Sequence, residues 1–154
     1  DPRYQEIKSA SIPVISPRKD VSIRVIAGRV HGTDGPVRDI VADPEFLDIA
    51  LGPDISFSHP VQNGYTAFAY VIGGNGTFDE REGHLVSNRD LILFGDGSSF
   101  RVRSSGAGMR FLFLSGKPIG EAVAWRGPIV MNTQEELRRA FREYADGTFI
   151  RKKA

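Results

Sequence analysis

Three histidines are the side chains of this sequence best suited to metal or acid–base chemistry: His31, His59 and His84. There is no cysteine, which excludes thiolate nucleophiles, disulfides and Cys-based zinc sites together. His59 opens the stretch HPVQNGYTAFAYVIGGNG, residues 59–76. Alternate residues of a strand face the same way, so a His-x-His pair would aim two imidazoles at one ion. Three or four such N or O donors with an open position suit Fe, Mn, Ni or Zn. The residue two beyond His59 is Val61, which cannot ligate. His31 and His84 each stand beside glycine in turn-like surroundings and read as solvent-exposed loop histidines. No G-x-S-x-G elbow is present to hold a nucleophilic serine. GGNGTF (73–78) lacks the spacing of a dinucleotide loop and reads as a hairpin turn. Asp79, Glu80 and Glu82 with Arg81 read as a wet charge cluster, not an acid–base pair.

The elements that would position these groups are mostly strands. VSIRVIAG (21–28) alternates, with Val21, Ile23 and Val25 on one face. EFLDIAL (45–51) does the same with Leu47, Ile49 and Leu51. TAFAYVI (66–72) puts Phe68, Tyr70 and Ile72 on one face and small or branched residues on the other. DLILF (90–94), SFRVR (99–103) and MRFLFLS (109–115) complete the set. A core role is expected for Phe68, Phe111 and Phe113. Asp34-Gly35-Pro36, residues 73–76, Asp96-Gly97 and Ser104-Ser105-Gly106 read as the punctuation between strands. Residues 1–20 read as an extended lead-in or linker, since Pro13 and Pro17 disfavour a helix and interrupt sheet pairing.

The C-terminal part, 121–154, changes character. A helix is predicted over about 134–145, with a capping box of Thr133 and Glu136 and a stop at Gly147. Leu137, Ala140, Phe141 and Tyr144 make one apolar face. A helix this short is marginal alone, so that face must dock on something. The barrel, another chain or a missing part of the same protein are the options, and self-association through 134–145 or docking back on the barrel is expected.

Composition excludes some functions. Lys+Arg is 20 against 19 Asp+Glu, so there is no general field for nucleic acid or anionic lipid. The basic end at 151–153 reads as a solvated tail. No run of about 18 apolar residues suggests a membrane span, and no N-terminal signal peptide is recognisable. The absence of cysteine fits a reducing compartment. The expected location is the cytoplasm, or the nucleus for a chain of animal origin. The start at Asp1 reads as a processed product, a cut fragment or an excised domain.

Many short strands at close spacing indicate an all-β sandwich or barrel, and the cupin barrel supplies the test. Its first motif is G-x5-H-x-H-x3,4-E-x6-G and its second is G-x5-P-x-G-x2-H-x3-N. On that frame His59 takes the first His slot, Val61 the second, Thr66 the Glu slot and Gly73 the closing glycine. In the second motif Gly83 fits the opening glycine, while the Pro, Gly, His and Asn slots fall on Arg89, Leu91, Phe94 and Ser98. Scaffold glycines partly survive and the donors are replaced. The expected fold is a cupin (double-stranded β-helix, jelly-roll) barrel over 21–120 without its metal, followed by a C-terminal extension with a helix. His59 then reads as a packed or edge histidine, and the interior as filled.

PRYQEI (2–7), GYTAFAYVIGGNG (64–76), LILFGDG (91–97) and WRGPIVMNTQEELRRAFREYADGTF (125–149) resemble the C-terminal half of the pirin family. The GPIVMNTQEEL core is the most specific part, and the resemblance covers essentially the whole chain. It implies a bicupin about twice this length, with Fe(II) or a similar divalent metal in an N-terminal cupin. It implies that the four metal slots fall here on His59, Val61, Phe94 and Asp96, so His59 and Asp96 are only vestigial metal candidates. No catalytic or cofactor-binding residue is expected in this chain. The resemblance also implies quercetin 2,3-dioxygenase activity in full-length relatives and transcription co-regulation in animal ones. In that chemistry the metal brings a flavonol and oxygen together. This chain alone is expected to be inactive, the structural partner of an N-terminal cupin. The alternative is a binding module for a protein partner or a small apolar ligand; an enzyme in its own right ranks last.

Overall fold

The computed structural model describes residues 4–78 and 83–150. The carboxylate cluster at 79–82 and the basic tail at 151–153 lie outside the described residues. The chain forms two units, Asp1–Pro118 and Ile119–Ala154.

Among the described residues the first unit has ten strands: β1 (Val14–Arg18), β2 (Val21–Ala27), β3 (Arg29–Val30), β4 (Thr33–Asp34), β5 (Glu45–Leu51), β6 (Ser56–Pro60), β7 (Thr66–Thr77), β8 (Leu85–Ser87), β9 (Leu91–Leu93) and β10 (Ser99–Gly116). The main sheet runs β1-β2-β5-β10-β7-β8, with β6 also on β10 and β9 also on β7. All its pairings are antiparallel. This is the cupin jelly roll. β1 lies inside the expected lead-in and carries Pro17 at the edge of the sheet, where a missing N–H costs least. β2 and β5 follow the predicted alternation: Val21, Ile23, Val25, Leu47, Ile49 and Leu51 are all buried.

Two long strands differ from the sequence-based expectation. β7 continues through the glycines at 73–76, and β10 continues through Ser104-Ser105-Gly106. Neither segment is a turn between strands. Glycine is needed in β7 because β10 passes against it: a Cβ on Gly74 (φ +67°) would lie 2.1 Å from the Gly108 carbonyl oxygen. β10 carries an irregularity between Ser104 and Met109, where its register on β7 shifts. Ser104 pins this bulge. Its Oγ donates to the Gly52 carbonyl (2.6 Å) and accepts from the Ile55 N–H (2.9 Å). Before the bulge β10 pairs with β6; after it, with β5.

The inward face of β7 is also not the predicted one. Ala67, Ala69 and Val71 are buried, while Phe68, Tyr70 and Ile72 are half-buried on the outer face. The barrel interior is already occupied by rings from other strands, Phe100, Phe111 and Phe113 of β10 among them, so β7 contributes small side chains there. Phe111 and Phe113 are fully buried, as predicted.

The second unit comprises a hairpin, β11 (Ala124–Arg126) and β12 (Ile129–Met131), and helix α1 (Gln134–Ala145). The predicted capping box forms: Thr133 Oγ1 accepts from the Glu136 N–H (3.2 Å), and the Glu136 carboxylate accepts from the Thr133 N–H (2.9 Å). Gly147 adopts φ +71°. Arg139 bonds Glu143 at 2.8 Å, four residues on. Leu137 and Ala140 bury against Ala124 and Ile129, with Met131 and Phe141 packed beside them. The hairpin thus covers much of the helix's apolar face, and Tyr144 stays exposed.

Candidate functional site

His59 sits on β6 next to buried Phe57 in the alternation and points into the first unit; only 4% of its surface is exposed. It is walled by aromatic rings: Phe57 stacks on it, and Phe100 and Phe113 approach at 5.7 and 5.6 Å between centroids. Burying an imidazole among phenylalanines is costly unless its nitrogens are bonded. Glu45, the first residue of β5, meets that need, with its Oε2 2.7 Å from His59 Nε2. An ionised carboxylate only accepts, so that pairing calls for the Nε2–H form of the ring. β10 meets the two strands near its opposite ends, Glu45 opposite Ser115 and His59 opposite Phe100, so the pair forms because the sheet curls over on itself.

Glu45 is partly exposed and faces a cleft of about 470 Å³, whose lining includes Arg29, Asp43, Pro60, Val61, Gln62 and Tyr65. A second hydrogen-bonded pair lies in the same cleft: the Tyr65 hydroxyl donates to Asp43 Oδ2 at 2.8 Å. That bond to a carboxylate holds the Tyr65 phenol above its ordinary range, with desolvation and the Asp43 charge acting the same way. Gly28 borders the cleft with φ +85°, and a Cβ there would press on Glu45 at 3.1 Å. The cleft therefore presents acceptors backed by a histidine and a phenol. It can hold hydrogen-bond donors.

The cupin metal slots do not converge on such a centre. Val61 packs on the core. Phe94 stacks on Phe100 at 5.3 Å and also meets Phe78 and Phe113. Asp96 is exposed in the bend after β9 and takes no part in the cleft lining. His59 directs Nε2 to Glu45. Two slots lack a donor atom, so these residues do not fit a metal ion. Among the described residues, no group of three or more His, Asp or Glu side chains is placed to hold one. His31 and His84 are both exposed, His31 in the β3–β4 turn.

Sequence reasoning found His59 but missed Glu45, Asp43 and Tyr65. Glu45 lies 14 residues from its histidine. Only the curling of the sheet, which brings the start of β5 over β6, reveals the pair.

Residues 46–150 match the family model described as the pirin C-terminal cupin domain. Pirin-1 of Arabidopsis thaliana is 37% identical over 147 residues, a match covering 94% of this chain and 50% of Pirin-1. Human pirin is 34% identical over 149 residues, covering 94% of this chain and 50% of its own length. Among solved structures, a quercetin 2,3-dioxygenase from Acinetobacter baumannii is 26% identical with a TM-score of 0.85, covering 96% of this chain and 50% of that one. The chain spans about half the length of the curated relatives it matches.

Proposed function

We propose, from the premise that this chain belongs to the pirin family as its C-terminal cupin domain, that it acts as a metal-free lobe docking a metal-binding N-terminal cupin. The observation that carries this reading is the outer face of the main sheet. Paired residues of antiparallel strands point to the same side. Leu93–Phe68–Leu114–Phe46 form one row across β9, β7, β10 and β5, and Leu91–Tyr70–Leu112–Asp48 form the next. Leu91 is 60% exposed and Leu93 69%. A continuous apolar face of this kind marks an interaction surface. Covering it would add ~1.5–3 kcal/mol for each leucine fully buried.

Asp48 and Arg110 give the face one polar fixture, a two-pronged pair at 2.7 and 2.9 Å. The Asp48 bond holds the Arg110 guanidinium above its ordinary pKa. The pair would set the register of whatever docks there. Self-association through α1 has less to work with, since Leu137 and Ala140 are already covered. A small apolar ligand inside the barrel would have to displace the rings of Phe94, Phe100 and Phe113. The dioxygenase named for the Acinetobacter baumannii relative, and the flavonol chemistry it implies, would reside in the N-terminal cupin.

The test is sedimentation of the chain with a separately expressed N-terminal cupin of a pirin. The expected result is a one-to-one complex that Leu91→Glu with Leu93→Glu abolishes while His59→Ala leaves it intact. Complex formation indifferent to the leucine changes would refute the assignment of this face.

A further inference from the structure

A second recess, of about 360 Å³, lies on the first unit and is lined by Arg18, His31, Ser56, Ser58 and Arg101, with Pro17 and Phe57. Among the described residues no carboxylate lines it. Its polar side chains are two guanidiniums, an imidazole and two hydroxyls, although the chain as a whole is nearly neutral at +1. The positive charge is therefore a local arrangement and not a sample of a basic surface.

The fold places these groups deliberately close. Ser56 and Ser58 are the exposed positions of β6, alternating with buried Phe57 and His59. Arg101 of β10 is in register with Ser58, so guanidinium and hydroxyl project from the same side of the sheet. Arg18, at the end of β1, donates from Nη2 to the Ser56 carbonyl, which fixes its head beside the same strand. Five N–H donors on a guanidinium leave the rest of the fork unspent. Among the described residues neither Arg101 nor His31 is in an ion pair. His31 adopts φ +47° ahead of Gly32 at φ +81° in the β3–β4 turn. Both central residues of that tight turn are left-handed, a conformation that favours asparagine or glycine at the position His31 holds.

We propose that this recess binds a phosphate-class oxyanion, with Arg18 and Arg101 bonding its terminal oxygens and Ser56, Ser58 and His31 completing the shell. Two planar donor forks flanking hydroxyls match a tetrahedral dianion better than a planar carboxylate, which a single fork satisfies. The recess is open, so an ester substituent on the phosphate would extend into solvent. This site is independent of the lobe role proposed above and shares no residue with the apolar outer face.

Calorimetric titration of the chain at low salt tests it, using inorganic phosphate, a nucleoside 5′-monophosphate and a phosphoserine peptide. Saturable phosphate binding with a Kd on the order of 1 mM or tighter, weakened about tenfold by Arg101→Gln and unchanged by Arg138→Gln on α1, is expected. Tighter binding of either ester would identify the source of the phosphate. Absence of saturable binding by all three probes, or equal binding by Arg101→Gln, would overturn the proposal. Should Arg101→Gln shift the unfolding midpoint, Ser58→Ala decides: a several-fold loss supports the site, and none refutes it.

Discussion

The two faces of the central sheet differ less in polarity than in what covers them. On the inner face Ala67, Ala69 and Val71 of β7 meet Phe111 and Phe113 of β10, all buried. On the outer face of the same strands Phe68, Tyr70, Leu112 and Leu114 are half-buried beside exposed Leu91 and Leu93. An antiparallel sheet with one wet face shows apolar residues alternating with polar ones. Here the outer face is apolar too where β9, β7 and β10 lie side by side, up to the Asp48–Arg110 pair at its border. The inner face is satisfied by its own barrel. The outer one is built like a core without its second layer.

That contrast can be broken at the inner face first. Phe113→Ala should lower stability by ~3–5 kcal/mol, read as a fall in the urea midpoint, because a fully buried ring leaves a cavity among Phe94, Phe100 and His59. His59→Ala comes next, at ~1–3 kcal/mol, since it removes the bond to Glu45 along with the ring contacts. At the outer face Leu93→Ser should change the stability of the chain by less than ~0.5 kcal/mol, while weakening any partner that uses the face. Equal costs at Phe113 and Leu93 would remove the distinction between the faces.

The smallest effect concerns the cleft. The Tyr65 phenol is raised by its bond to Asp43, so its protonated form is favoured in the folded state. Whatever stability it contributes is present below the ordinary phenol pKa and is lost as pH rises through the folded value. Asp43→Asn should bring the Tyr65 titration down, followed by the ring carbon resonance in NMR.

Much of this architecture was legible in the sequence. Alternation located β2 and β5, and the capping box with Gly147 bounded α1 to the residue. Counting ligand spacings put Val61 and Phe94, which carry no donor atom, in two slots of the cupin metal motif. Three readings failed for physical reasons. Glycines 73–76 looked like a turn because a chain pattern does not show that Gly74 exists for the close passage of β10. Ser104 looked like punctuation, yet it ties a bulge inside one long strand. Phe68 looked like core because alternation identifies two faces without saying which is inside. The Glu45–His59 pair was illegible for a related reason: it is made where the sheet curls over on itself, which no local pattern records.

We propose that this cupin works through its surfaces and without a metal of its own. Metal analysis of the purified chain after exposure to Fe(II), Ni(II) or Zn(II) and dialysis tests it most directly. Far less than one equivalent should be bound, with no difference between the wild-type chain and His59→Ala. A stoichiometric ion retained by the chain and lost on His59→Ala would contradict it.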